Sequence, residues 1–289
     1  MLIRILIAAL VLALGAFGGL YCLSEAKLRD VQADPPFVYP VTINDTSIER
    51  GRYLARTRGC FGCHGQQLEG KNFADQWDWP VRAIAPNLAE YARDHDDATL
   101  EAAIRQGIAA SGRALVSMPS YNFSRLSDAN TAALIAFLRS APIVANELPT
   151  PRLGWRARWE VAFGGYRHME DWADAVPQLR IDPHAEPDRA RGEYLGMTLC
   201  NECHGLDLRG ANLFGEPTPD LAIVSTISRE QFQNIIRTGT GRGDRQLGLM
   251  TLVASNRYPF LTATDIDDLY PHLTTLAGEP VPEDVFWRP

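Results

Sequence analysis

Two short stretches hold the residue types best suited to chemistry: Cys60-Phe61-Gly62-Cys63-His64 and Cys200-Asn201-Glu202-Cys203-His204. Two cysteines bracketing a short turn, with a histidine immediately after, are the arrangement by which a haem is tethered covalently. Each sulfur would form a thioether with a porphyrin vinyl group, and the histidine would sit beneath the iron as its proximal ligand. A dithiol redox pair or half of a zinc site would use the cysteines but leaves His64 and His204 unexplained at the same offset. Four of the five cysteines fall in the two motifs and Cys22 is the remainder, so there is no disulfide framework. The motifs predict two covalently bound haems c.

The motifs lie inside a longer repeat. Arg191-Gly192-Glu193-Tyr194-Leu195 echoes Arg50-Gly51-Arg52-Tyr53-Leu54, and Cys200 to Asn212 matches Cys60 to Asn72 without a gap. Pro219-Asp220-Leu221 answers Pro86-Asn87-Leu88, and Ile236-Arg237-Thr238-Gly239 answers Ile104-Arg105-Gln106-Gly107. Duplication of one haem-binding unit is the economical explanation. On these residues the chain resembles the class I cytochrome c family, specifically its dihaem, membrane-anchored members. The resemblance implies an all-α fold of two tandem class I cytochrome c domains joined by a linker, after one N-terminal transmembrane helix. The expected organisation is an anchor over 1–24, a spacer over 25–44, domain 1 over 45–145, a linker over 146–187, domain 2 over 188–277 and a tail over 278–289.

The same resemblance suggests the remaining site residues. Met118 is the only methionine between His64 and the last helix of the first unit, and Met250 is the only one after His204. A lone methionine is usually core filler, but the place of Met118, before Pro119 and ahead of a terminal helix, resembles the family's sixth-ligand loop. Met250 occupies the matching place with Thr251 in place of proline, and His272 competes with it from within the terminal helix. Pro86, and by the repeat Pro219, match the family proline whose carbonyl accepts from the proximal histidine; a loop breaker is the alternative. Arg105 and Arg237 recur at equivalent places, where each could pair with a haem propionate or be an ordinary surface arginine.

Helices must position these groups. Thr46 with Glu49 reads as a capping box opening a helix that runs toward Cys60, with Tyr53 and Leu54 facing the core and the arginines Arg50 to Arg58 forming a solvated face. Thr99 caps a short helix closed by Gly107. Ser127 to Arg139 and Leu261 to Leu273 read as terminal helices, the first crossing its partner near Gly51. Between the units, Leu153 to Asp174 carries Trp155, Trp159, Phe163, Tyr166 and Trp172. That stretch reads as a short amphipathic helix packing across both units, with a partner-docking or membrane-surface segment as the sharper alternative.

Ile5 to Leu23 is free of charge, and at about 1.5 Å per helical residue it covers roughly 28 Å, close to the hydrocarbon thickness of a bilayer. An uncleaved transmembrane anchor is expected over a cleaved signal or a lipidated Cys22. Haem attachment in this family takes place outside the cytoplasmic membrane, which implies a single-pass protein of the bacterial inner membrane, N-terminus cytoplasmic and haem domains periplasmic. The net charge of -7 argues against nucleic acid as a partner. Residues 186 to 277 hold 12 acidic against 8 basic residues, whereas 45 to 145 hold 11 of each, so a basic acceptor would favour the second unit. Histidine below and methionine above leave no open iron position, which suits outer-sphere electron transfer between a dehydrogenase or respiratory complex and an oxidase or soluble cytochrome, with membrane lipid as a further contact. The chain is expected to be an electron carrier or subunit, not an enzyme; the alternatives are a dihaem peroxidase or thiosulfate-oxidising enzyme, or a structural role.

Overall fold

A computed structural model describes residues 1–73, 82–213 and 216–281; most of the tail expected over 278–289 lies outside the described residues. Helix α1 (Leu2–Leu28) contains the whole charge-free run. The first helical unit follows as α2 (Asp45–Thr57), α3 (Cys60–His64), α4 (Leu88–Asp94), α5 (Asp97–Glu101) and α6 (Asp128–Ser140). After α7 (Trp155–Phe163) and α8 (Met169–Ala175), a second unit is built from α9 (Pro187–Leu199), α10 (Asn201–His204), α11 (Arg229–Thr238), α12 (Leu249–Asn256) and α13 (Ala263–Thr275). Two small antiparallel ribbons, β1 (Lys71–Asn72) with β2 (Ile84–Ala85) and β3 (Ala211–Leu213) with β4 (Glu216–Thr218), close the loop after each tether.

Local polar chemistry fixes the helix starts, in places not where the sequence suggested. Asn44, not Thr46, caps α2: its side chain accepts from the Ser47 amide, while the Ser47 hydroxyl accepts from the Asn44 amide. Asp96, not Thr99, caps α5, accepting from the Thr99 amide. That helix continues as a π-helical turn, Ala102–Gln106, and ends at Gly107 in the left-handed region, φ 78°. Ser127 and Thr262 cap α6 and α13.

Each unit is organised by one close helix crossing. Helices α2 and α6 meet at Gly51, where a Cβ would stand 2.0 Å from the Ala133 carbonyl oxygen and 2.5 Å from Phe137 Cβ. Helices α9 and α13 meet at Gly192, where a Cβ would stand 2.2 Å from the Asp268 carbonyl oxygen and 2.9 Å from His272 Cβ. No other residue type fits. His272 is thus the counterpart of Phe137, a buried packing residue of the crossing. One core gathers Leu54, Phe61, Leu68, Leu100, Leu134 and Leu138; the other gathers Leu195, Leu208, Phe232, Ile236, Leu269 and Leu273.

The two units touch through an approximate two-fold arrangement. Tyr53 of α2 donates to Asp265 of α13 at 2.8 Å, and Tyr194 of α9 accepts from Asn130 of α6. The tyrosines are repeat equivalents, and each bonds the third residue of the other unit's last helix. Between them Arg58 donates to Thr57 at 2.7 Å and to Thr198 at 3.0 Å. Arg58 is only 3% exposed, so of the expected solvated arginine face Arg52 is exposed, Arg50 and Arg56 are partly so, and Arg58 is not. The aromatic stretch between the units forms two helices. α7 packs on α1, while α8 rests on the first unit and sends Trp172 against the second core, with its ring 6.3 Å from that of Tyr121.

Two outcomes follow. Gly51→Val must force the crossing apart and is expected to lower stability by about 3 kcal/mol or more, read as a lower guanidinium midpoint by far-UV circular dichroism; an unchanged midpoint would contradict the packing. Burial pushes the Asp265 carboxyl up, but the hydroxyl and amide of Thr262, the Tyr53 hydroxyl and the Arg191 guanidinium outweigh it and hold the group below its ordinary value. With the folded pKa depressed, its contribution is present above the unfolded pKa of about 4 and is lost as pH falls through the folded value. Unfolding midpoints measured between pH 6 and pH 3 should therefore fall less steeply for Asp265→Asn than for the unaltered chain.

Candidate haem sites

The first tether begins after Gly59, whose left-handed backbone (φ 83°) starts a new helical turn out of the end of α2. On α3, Cys60 and Cys63 stand three residues apart and therefore share one face. His64 ends the turn, buried, with Nδ1 2.8 Å from the Pro86 carbonyl oxygen. A carbonyl can only accept, so Nδ1 carries the proton and Nε2 keeps its lone pair. The second tether repeats this on α10: His204 Nδ1 lies 2.9 Å from the Pro219 carbonyl oxygen. Burial depresses the pKa of both imidazoles and the proline carbonyls oppose it only in part, so each ring is held neutral, as a metal-ligating imidazole must be.

The loops behind the tethers match bond for bond. The amide of Gly70 donates to the His64 carbonyl and that of Gly210 to the His204 carbonyl, both at 2.8 Å. Leu68 and Leu208 both adopt positive φ, 63° and 65°, a conformation unfavourable for a branched side chain. Each is 1% exposed in its unit's core, and that burial offsets the strain. The amides of Leu88 and Leu221 then bond the carbonyls of Leu68 and Leu208 at 2.9 Å, which places the Pro86 and Pro219 segments over the histidines.

These donor sets fit a covalently held haem. Burial pushes the Cys60 thiol up to about 12, Cys200 up to about 11 and Cys203 up to about 12, and raises Cys63 as well. Sulfurs held neutral in this way suit thioethers better than thiolates. Among the described residues no group of three or more His, Cys, Asp or Glu side chains is placed to hold a metal ion, which disfavours the zinc reading. Each site presents one imidazole, not a tetrahedral thiolate set.

Met118 lies in the loop before a short 3-10 turn, Ser120–Asn122, and packs half-buried against the first core. Met250 packs half-buried against the second core, but from the first turn of α12 and not from a loop. Thr251 explains the difference from Pro119: its hydroxyl donates to the Gly239 carbonyl at 2.7 Å and accepts from the Leu247 amide at 2.9 Å, fixing the methionine segment to the end of α11. Arg105 is already engaged by Asp128 at 2.6 Å and Glu101 at 3.3 Å, and Arg237 by the Leu261 carbonyl at 2.9 Å. Arg105 holds the start of α6, and Arg237 the segment just before α13.

The sequence did not single out the groups that bring the tethers together. Arg257 pairs with Glu202 inside the second tether at 2.5 Å, and its guanidinium lies where a Cβ on Gly59 would be, 2.3 Å away. Asn201 donates to the Tyr121 carbonyl at 3.2 Å. The two tether turns are thus neighbours across the contact between units. Glu202 and Asn201 fill the variable positions of the motif, and only their polarity hinted at a role.

Residues 48–142 match the family model for cytochrome c. The chain is 31% identical over 175 residues to the cytochrome c subunit of a quinone-dependent alcohol dehydrogenase of Gluconobacter oxydans, covering 56% of this chain and 35% of that protein. It is 27% identical over 301 residues to the gluconate 2-dehydrogenase cytochrome c subunit of Pantoea cypripedii, covering 91% and 65% respectively. It is 26% identical over 286 residues to the fructose dehydrogenase cytochrome subunit of Gluconobacter japonicus, covering 86% and 57%. The chain thus spans between about a third and two thirds of the length of these relatives. The cytochrome c model thus matches the first tethered unit, and most of the chain's length is similar to cytochrome c subunits of dehydrogenases.

Proposed function

We propose that the chain is a dihaem electron-transfer subunit that relays electrons from a dehydrogenase to a downstream acceptor. The observation that carries this reading is the repeated tether: two Cys-X-X-Cys-His turns, each with a neutral histidine aimed by a proline carbonyl, set side by side across the Arg257–Glu202 pair. A bound haem supplies an iron that alternates between ferric and ferrous states. Cys60, Cys63, Cys200 and Cys203 would hold the two porphyrins, and His64 and His204 would each offer Nε2 from one side. Met118 and Met250 would offer a thioether from the other, which favours the ferrous state relative to a second imidazole. His64 is buried and His204 partly so, and each ring is held in place by its proline carbonyl.

The kinship to dehydrogenase subunits supports a dehydrogenase as the electron donor, and an oxidase or soluble cytochrome suits the acceptor. Helix α1 would span the bacterial inner membrane once, N-terminus in the cytoplasm, with both haem units in the periplasm. Its 18-residue core has a mean hydropathy of 2.3 and none of it is buried by the rest of the chain.

Met118→Ala and Met250→Ala are each expected to remove part of the sulfur-to-iron charge-transfer band of the oxidised protein, and the double variant all of it; a band unchanged in either single variant would remove that methionine from the ligand set. Chain solubilised from native membranes is expected to bring with it a dehydrogenase whose substrate reduces the haem absorbance. A chain that purifies alone and takes no electrons from any dehydrogenase of those membranes would contradict the subunit role.

A further inference from the structure

Helix α7 carries an aromatic stripe that the haem chemistry does not use. Trp155, Trp159 and Phe163 follow one another at intervals of four, on one side of the helix, and are 68%, 55% and 57% exposed. The opposite side is buried: Ala157 and Val161 are at most 2% exposed, and Val161 packs with Leu28 of α1 and Ala114. A solvated helix that turns three large aromatic rings away from its own core is unusual. Here the stripe has a defined neighbour.

α7 is fixed beside the end of the apolar run. Arg158 donates to Ser24 at 2.8 Å and to Glu25 at 3.0 Å, and its guanidinium lies 4.1 Å from the centre of the Tyr21 ring. Arg113 also pairs with Glu25 at 3.2 Å, and the Ala114 amide donates to the Leu28 carbonyl at 2.7 Å. The apolar run ends at Leu23, and Tyr21 to Glu25 spans only about 6 Å along the helix axis. The stripe is therefore held at the level where α1 leaves the apolar run. Phe17 and Tyr21 are exposed on α1 itself, and Lys27, Arg29, Arg152 and Arg156 are exposed around it. Amphipathic aromatic rings with basic side chains beside them match the headgroup zone of a bilayer, apolar below and anionic above.

We propose that Trp155, Trp159 and Phe163 of α7 insert into the interfacial zone of the bilayer that α1 spans, so that the haem units stand on the membrane at a fixed tilt. This rests on the reading of α1 as a membrane span, and its occupant is lipid because the stripe lies beside the end of the apolar run and is flanked by exposed basic side chains.

The test uses the full, haem-loaded chain in vesicles of phosphatidylethanolamine and phosphatidylglycerol, reduced so that the irons are diamagnetic. Nitroxide labels are placed singly, in a Cys22→Ser background, by Trp159→Cys, Phe163→Cys, Val11→Cys and Ser225→Cys. The ratio of accessibility to oxygen over a water-soluble nickel chelate is read by power-saturation electron paramagnetic resonance. The expected ratios at 159 and 163 are several-fold above that at the exposed Ser225 and below that at Val11. Ratios at 159 and 163 equal to that at 225, with 11 in lipid, would overturn the inference, leave the span intact and assign the stripe to a protein partner. A water-exposed label at 11 would sink the span and the inference with it.

Discussion

The constraint on which the rest of the chain depends is the contact of two helix backbones at a single glycine in each unit. At Gly51 and Gly192 the opposing carbonyl lies closer than any side chain would permit, so the first and last helices of each unit are locked at one crossing. That lock sets where α2 and α9 end, and the tether turns begin within three residues of those ends. The last helices also present Asn130 and Asp265 to the tyrosines of the opposite unit. One packing event per unit therefore determines both the place of its tether and the surface by which it meets its neighbour.

The contact between units concentrates charge where two redox groups are proposed to sit. Arg58 is buried without a carboxylate partner among its hydrogen bonds, held by two threonine hydroxyls, and Arg257 bridges Gly59 and Glu202. In a medium of low effective dielectric such charges act strongly on a neighbouring group that changes charge. Arg257 is neutralised by Glu202, whereas the Arg58 charge would disfavour the electron-poor state of a haem beside it, and parting the units would strip Arg58 of Thr198 and leave a buried charge less well hydrogen-bonded.

Much of this was legible in the sequence because it depends on local spacing. The Cys-X-X-Cys-His offsets, the gapless loop from Cys60 to Asn72 repeated at Cys200 to Asn212, and the glycine at each crossing are all short-range patterns whose geometry follows from helix period and backbone freedom. The Pro86 and Pro219 carbonyls lie 2.8 and 2.9 Å from the Nδ1 atoms of His64 and His204. What the pattern could not supply was the choice between equivalent local partners, as at the α2 cap, where Asn44 prevails over Thr46. Nor could it supply long-range pairings. Arg105 and Arg237 were marked by recurrence, but Asp128 and the Leu261 carbonyl that hold them lie more than twenty residues further along the chain. Arg257 and Glu202 meet across 55 residues, with no periodic signal between them.

The central claim is that both tethers carry haem in one chain, and the intact mass of the protein purified from its native membranes tests it most directly. The account predicts a mass equal to the chain plus two haems, falling by one haem when Cys60 and Cys63 or Cys200 and Cys203 are replaced by alanine. A mass corresponding to a single haem in the unaltered chain would contradict it.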